Sequence, residues 1–135
     1  MKQHTFKKPE HLCLQTEIEA LFAPGSPSVS VYPVRAVFRV LPYGGRGPRV
    51  KVLLSVSKRR LRHAVDRNRA KRQLREAYRL QKRLLWDVLP AGAAAHVAFI
   101  WLADHTKETP RVQRSVGTLL QRIGEKCAKA AAAPE

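Results

Sequence analysis

Apolar residues recur along this chain in two periods, and the alternation between them predicts the elements. From Glu10 to Phe22 the spacing is helical: Leu14, Ile18, Leu21 and Phe22 share one side, while Glu17 and Glu19 fall elsewhere. The cluster Ala23-Pro-Gly-Ser-Pro-Ser28 ends that helix, because proline cannot continue it and glycine releases the backbone. Val29 to Leu41 is rich in β-branched and aromatic residues and predicts a strand. Pro33 lacks the N–H a ladder needs, which places this strand at an edge or gives it a bulge. Arg49 to Val56 alternates and predicts a second strand. The glycine-rich stretch Pro42–Pro48 between the two predicts an antiparallel hairpin.

The period then returns to 3.6. On a wheel of about 100° per residue, Asp66 to Val88 separates into two sides. Ala70, Leu74, Ala77, Tyr78, Leu84, Leu85 and Val88 gather on one; Asn68, Lys71, Arg72, Arg75, Arg79 and Lys82 gather on the other. Pro90-Ala-Gly92 stops this helix, Ala94 to Ala103 predicts a buried strand, and Thr109-Pro110 opens a last helix with Val112, Val116, Leu119, Leu120 and Ile123 inward. Residues 1–9 and the tail from Lys126 are expected to be flexible or frayed. The order helix–strand–strand–helix–strand–helix predicts an α/β (α+β) two-layer sandwich in which helices pack on one sheet. At 135 residues the chain is expected to be a single domain, with its core over about residues 5–125.

Charge changes the picture. The chain holds 26 Lys and Arg against 10 Asp and Glu, a net charge of +16. Twelve of the 26 lie between Lys58 and Arg83, with only Asp66 and Glu76 among them. Such density repels itself unless a polyanion neutralises it. A solvated helix face ordinarily mixes signs, and this one does not. Arginine's planar fork pairs two phosphate oxygens at once, so a structured nucleic-acid surface is the reading that fits. Asn68 would either hydrogen-bond a base edge or sugar hydroxyl, or cap the helix start. A basic zipper would continue this helix into heptads, and a helix-turn-helix would place another helix just before it; here Pro90 stops it and a strand precedes it. RNA or general phosphate binding is therefore favoured over DNA.

Catalytic chemistry carried by the protein is not expected. Acids are scarce and scattered, and the glycines of 44–47 lie between strands and not before a helix. Cys13 and Cys127 are expected to be reduced thiols, and neither they nor the five histidines have metal-ligand spacing. The opening residues lack a secretory apolar core and no run is long enough to span a bilayer, so a cytoplasmic protein without membrane contact is expected.

At residues 56–79 the pattern becomes specific. Val56-Ser57-Lys58, then about eight residues, then Arg67-Asn-Arg-Ala-Lys-Arg-Gln-Leu-Arg-Glu-Ala-Tyr-Arg79 closely resembles the signature of the bacterial ribonuclease P protein subunit. The likeness extends to Phe6-Lys-Lys and to the first helix ending Ala20-Leu-Phe22, and covers about residues 5–125. The resemblance implies a left-handed βαβ crossover through the basic helix, although the general rule for a parallel pair is right-handed. It also implies the protein part of a ribonucleoprotein endonuclease that removes the 5′ leader of precursor tRNA. In that family the RNA subunit carries hydrolysis with Mg2+, so no catalytic residue, metal site or cofactor is expected on the protein alone, and no obligate protein partner. By matching position, the resemblance implies that Lys58, Arg67, Asn68, Arg69, Lys71, Arg72, Arg75 and Arg79 face the catalytic RNA. It implies a leader cleft between the first helix and the sheet, for which Phe22, Tyr32 and Phe38 are the aromatic candidates; ordinary core packing is the other reading of Phe22 and Phe38. The alternatives are a basic RNA-binding or ribosome-associated protein of the same fold and, third, a protein nuclease.

Overall fold

A computed structural model describes residues 10–45 and 47–132. The elements are α1 (Gln15–Leu21), β1 (Ser28–Val31), β2 (Val34–Pro42), β3 (Val50–Ser55), α2 (Ala64–Gln81), α3 (Arg83–Trp86), β4 (Ala93–Trp101) and α4 (Thr109–Ala132). One four-stranded sheet runs in the order β1-β2-β4-β3. β2 pairs antiparallel with both β1 and β4, whereas β3 pairs parallel with β4. The mixed α+β sandwich is as the sequence predicts; its connectivity differs in two places.

The expected hairpin between the first two predicted strands does not form, because β4 inserts between β2 and β3. The reason lies in β4 itself. Its residues Ala93–Phe99 are all buried, so it takes a central position with neighbours at both edges and a covered layer on each face. The predicted strand Val29–Leu41 is in fact two. The chain reverses at Tyr32-Pro33, joined by a cis peptide, and Val31 pairs with Val34. Proline thus ends up between strands, at the sheet's edge, where no ladder N–H is lost.

Period-2 alternation sends each strand's residues to opposite faces. Val34, Ala36 and Phe38 of β2, Val50 and Val52 of β3 and Val97, Phe99 and Trp101 of β4 form the main core with α2, α3 and α4. The opposite face carries a smaller cluster in which Leu12, Leu21, Val37 and Ala98 pack with Ile18, Leu53 and Ile100. Among the described residues, α1 and Leu12 cover part of that face, and Arg35 and Arg39 stand exposed on it.

The first helix is shorter than its apolar spacing predicts. Residues 10–14 run alongside β3: His11 bridges Val52, and the Leu12 N–H donates to the Val52 carbonyl at 2.9 Å. Glu10 is tied to Lys82 by an ion pair of 2.8 Å in which both side chains are buried. The segment therefore covers the free edge of β3 and links the two faces of the sheet. Leu14, expected inside, is exposed because it precedes the helix. At the other end, the tail expected to fray from Lys126 continues α4 and buries Cys127. Residues 1–9, expected to be flexible, lie outside the described residues.

Candidate nucleic-acid interface

α2 rises from the turn that follows β3. The Leu61 and Arg60 N–H groups both bond back to the Ser57 carbonyl, which folds Lys58, Arg59 and Arg60 outward. His63 is the N-cap residue and makes no side-chain cap. Arg67 supplies the closure instead, donating from Nη1 to the carbonyls of Leu61 at 2.9 Å and Arg62 at 2.8 Å. Asn68 sits in the second turn of the helix, exposed, so the capping role does not apply to it.

The buried side of α2 is Ala70, Gln73, Leu74, Ala77 and Tyr78. Gln73 and Gln81 fasten it to the last helix and the loop before it: Gln73 Nε2 donates to the Lys107 carbonyl and Gln81 Nε2 to the Gln113 carbonyl, at 2.9 and 2.8 Å. With that side fixed, Asn68, Arg69, Arg72 and Arg75 stand exposed on the opposite side, Lys71 is half-buried, and Lys58 lies beyond the N-terminus. At about 1.5 Å of rise per residue, Arg69 to Arg75 span roughly 9 Å.

Two predicted members of this face behave differently. Lys82 does not belong to it: the helix breaks at that residue, and its side chain is 2 % exposed. The ammonium pairs with Glu10 and lies 4.4 Å from the centre of the Trp86 ring. The same break resets the helical phase, which leaves Leu84 and Val88, expected inside, partly exposed while Leu85 is buried. Arg79 keeps its place, but its fork is engaged by Glu76, with Nε and Nη2 each 2.8 Å from a carboxylate oxygen. That bond holds the Glu76 carboxyl below its ordinary range. Arg69, Arg72 and Arg75 thus form the open centre of the face.

The three aromatic cleft candidates do not come together. Phe22 caps the C-terminal end of α1 and is 45 % exposed on the open side of the sheet. Phe38 points the other way and is 2 % exposed in the core under α2 and α4, so it offers no ring to a base. Tyr32 lies at the β1–β2 reversal, held against the start of α4: Ser115 Oγ donates to its carbonyl at 3.0 Å.

What the open side of the sheet does hold is cationic. Arg35 and Arg39 project from β2, Lys51 from β3, and His96 from β4 opposite both Arg39 and Lys51. Glu17 of α1 reaches into this group, 3.6 Å from the Lys51 ammonium and 3.6 Å from His96 Nε2. Burial pushes the His96 imidazole below its ordinary value; Glu17 opposes that shift, and Lys51 and Arg39 add to it. His96 Nδ1 is buried without a hydrogen-bond partner. A shallow pocket lined by Ala20, Ala23, Ser26, Pro27 and Arg39 lies at the turn that follows α1. The face therefore carries several cations, and Phe22 is exposed at the end of α1. The signal for it was present in the sequence, as Arg35 and Arg39 four apart in a strand whose intervening residues are apolar.

The sequence matches the ribonuclease P family over residues 6–124. That is most of the chain. The protein belongs to the ribonuclease P protein family. It is 44 % identical over 117 residues to the ribonuclease P protein component of Porphyromonas gingivalis, covering 86 % of this chain and 84 % of that one. It is 37 % identical over 91 residues to the corresponding component of Chlorobium phaeobacteroides, covering 66 % of this chain and 62 % of that one. Its fold is similar to the RNase P protein of Thermotoga maritima, with a TM-score of 0.59 at 21 % identity over 84 % of this chain and 96 % of the other. Among the described residues of this ribonuclease P protein, no three His, Cys, Asp or Glu side chains group as a metal site, and no helix is long and apolar enough to cross a membrane.

Proposed function

We propose that this chain is the RNA-binding protein subunit of a ribonuclease P endoribonuclease that matures the 5′ end of tRNA in the cytoplasm. The single observation that carries the reading is the α2 face. Arg69, Arg72 and Arg75 stand exposed in line, backed by a helix side locked to the core, in a chain of the ribonuclease P protein family. Rigid backing matters, because donors fixed in advance lose less freedom when phosphates bind. Lys58, Asn68 and Lys71 extend the same surface, and Arg67 acts mainly by shaping the turn before it. The partner assigned to this face is the catalytic RNA, which carries the hydrolysis and the Mg2+ it uses.

The precursor leader is assigned to the open side of the sheet. Phe22 supplies a base-stacking ring, and Arg35, Arg39 and Lys51 supply phosphate contacts. Stacking accepts any base, which suits leaders of varied sequence.

The test is the salt dependence of binding to the RNA subunit. Each phosphate contact in a helical RNA releases condensed counterions, so the logarithm of affinity falls steeply with that of salt. Replacing Arg72 and Arg75 by alanine is expected to flatten that slope by roughly 1.5 to 2. An unchanged slope excludes these arginines as phosphate contacts, and co-purification with ribosomal RNA alone would favour a ribosome-associated protein.

A further inference from the structure

α4 carries a second cationic strip, separate from that of α2. Arg111, Arg114, Arg122, Lys126 and Lys129 are all exposed. On a wheel of about 100° per residue they fall within about 120°. The buried stripe of Val112, Val116, Leu119 and Ile123 faces the sheet. The side toward α2 is closed by close packing: a Cβ on Gly117 would meet the Gln81 side chain, and one on Gly124 would meet Val88. The strip therefore lies on the flank away from α2. From Arg111 to Lys129 it runs about 27 Å. Glu125 is the one acid on it, and Glu108 precedes the helix.

Tyr32 stands at the head of this strip. Its ring is 48 % exposed, with the Lys107 ammonium 5.1 Å and the Arg111 guanidinium 5.4 Å from the ring centre. The Ser115 hydrogen bond to its carbonyl fixes the reversal on α4. A half-exposed aromatic ring in line with a row of cations is the combination that binds single strands: cations track the backbone and the ring stacks a base. A duplex, with its bases already stacked, would use the cations and leave the ring idle.

From this placement we infer that Tyr32 and the outer face of α4 form a second RNA surface, one that takes single-stranded RNA. It does not depend on the role assigned to α2, since the packing between α2 and α4 separates the two strips.

The probe is a uridine 12-mer containing 4-thiouridine, with binding followed by anisotropy over a salt series and crosslinks mapped by mass spectrometry. The wild-type chain is expected to crosslink at Tyr32. The triple variant Arg114→Gln, Arg122→Gln, Lys126→Gln leaves the Tyr32 surroundings intact and changes exposed side chains only; thermal melting verifies its fold. It is expected to flatten the salt slope by about 2, at roughly 0.7 per lost contact on a single strand. Tyr32→Ala is expected to weaken binding at least about fivefold, and Tyr32→Phe to restore it. The variant Arg69→Gln, Arg72→Gln, Arg75→Gln is expected to keep the Tyr32 crosslink, whether or not it still binds the ribonuclease P RNA. A slope unchanged in the α4 variant overturns the inference. So does a preference for duplex over the 12-mer that is insensitive to Tyr32→Ala.

Discussion

Glu10 and Lys82 lie 72 residues apart, and their pair holds the N-terminal segment against the junction of α2 and α3. Glu10→Gln keeps the shape and one acceptor but removes the charge opposite an ammonium that is 2 % exposed. Breaking a buried pair costs about 3–5 kcal/mol. The retained amide oxygen argues for the lower end, about 3 kcal/mol. A chain of 135 residues has an unfolding entropy near 0.28 kcal/mol/K, at about 2.1 cal/mol/K per residue. The expected fall in melting temperature is therefore about 10 °C. Because Leu12 bonds to Val52 just beyond Glu10, exchange of the Leu12 amide should accelerate more than that of β4 amides. The double variant Glu10→Leu, Lys82→Met should recover most of the loss, as apolar replacements of buried pairs do. A fall below about 3 °C for Glu10→Gln, with no coupling in the double-mutant cycle, would refute the reasoning.

Three further outcomes follow from the placement of single residues. Phe38→Ala should cost about 3–5 kcal/mol in urea unfolding, whereas Phe22→Ala should cost under about 1 kcal/mol and weaken crosslinking to a precursor leader; the reverse ranking would exchange their roles. Arg67→Ala should destabilise by about 1–2 kcal/mol through its two carbonyl bonds, while Arg69→Ala stays within about 0.5 kcal/mol by the same measurement. For His96 the folded state binds the proton less readily than the unfolded state, so the contribution is full above the ordinary histidine value near 6.5 and is lost as pH falls from there toward the lowered folded value. Urea titrations at pH 7.5 and 5.5 should show a smaller pH effect in His96→Gln than in the wild type, and equal effects would contradict the assignment.

Much of the fold was legible because periodicity reports which side of an element is buried. The α2 wheel separated Leu74 and Tyr78 from Arg72 and Arg75 correctly, since both sides are set within one unbroken helix. It failed at Lys82, where the helix breaks and a carboxylate 72 residues away captures the side chain; no local pattern encodes such a pair. The β2–β3 hairpin was the natural reading of a glycine-rich turn. The opposing signal was the apolar run of β4, which suits a central strand better than an edge one. Phe38 and Phe22 looked equivalent as aromatics, yet one lies on a strand position whose parity points to the core. The cations of the open sheet face were visible at Arg35 and Arg39, but bringing Lys51 and His96 beside Arg39 needed the pairing register. Tyr32 was a cleft candidate through the resemblance alone; the reversal at Pro33, which the strand pattern did not reveal, sets it against α4.

The central claim is that an open arginine face on α2 grips a catalytic RNA and assists without cutting. Reconstitution with the matching ribonuclease P RNA at low Mg2+ tests it most directly, with precursor tRNA cleavage as the readout. The wild-type protein should raise cleavage well above the RNA alone, and the folded variant Arg69→Ala, Arg72→Ala, Arg75→Ala should lose most of that gain. Equal stimulation by both proteins, or cleavage by the protein without RNA, would contradict it.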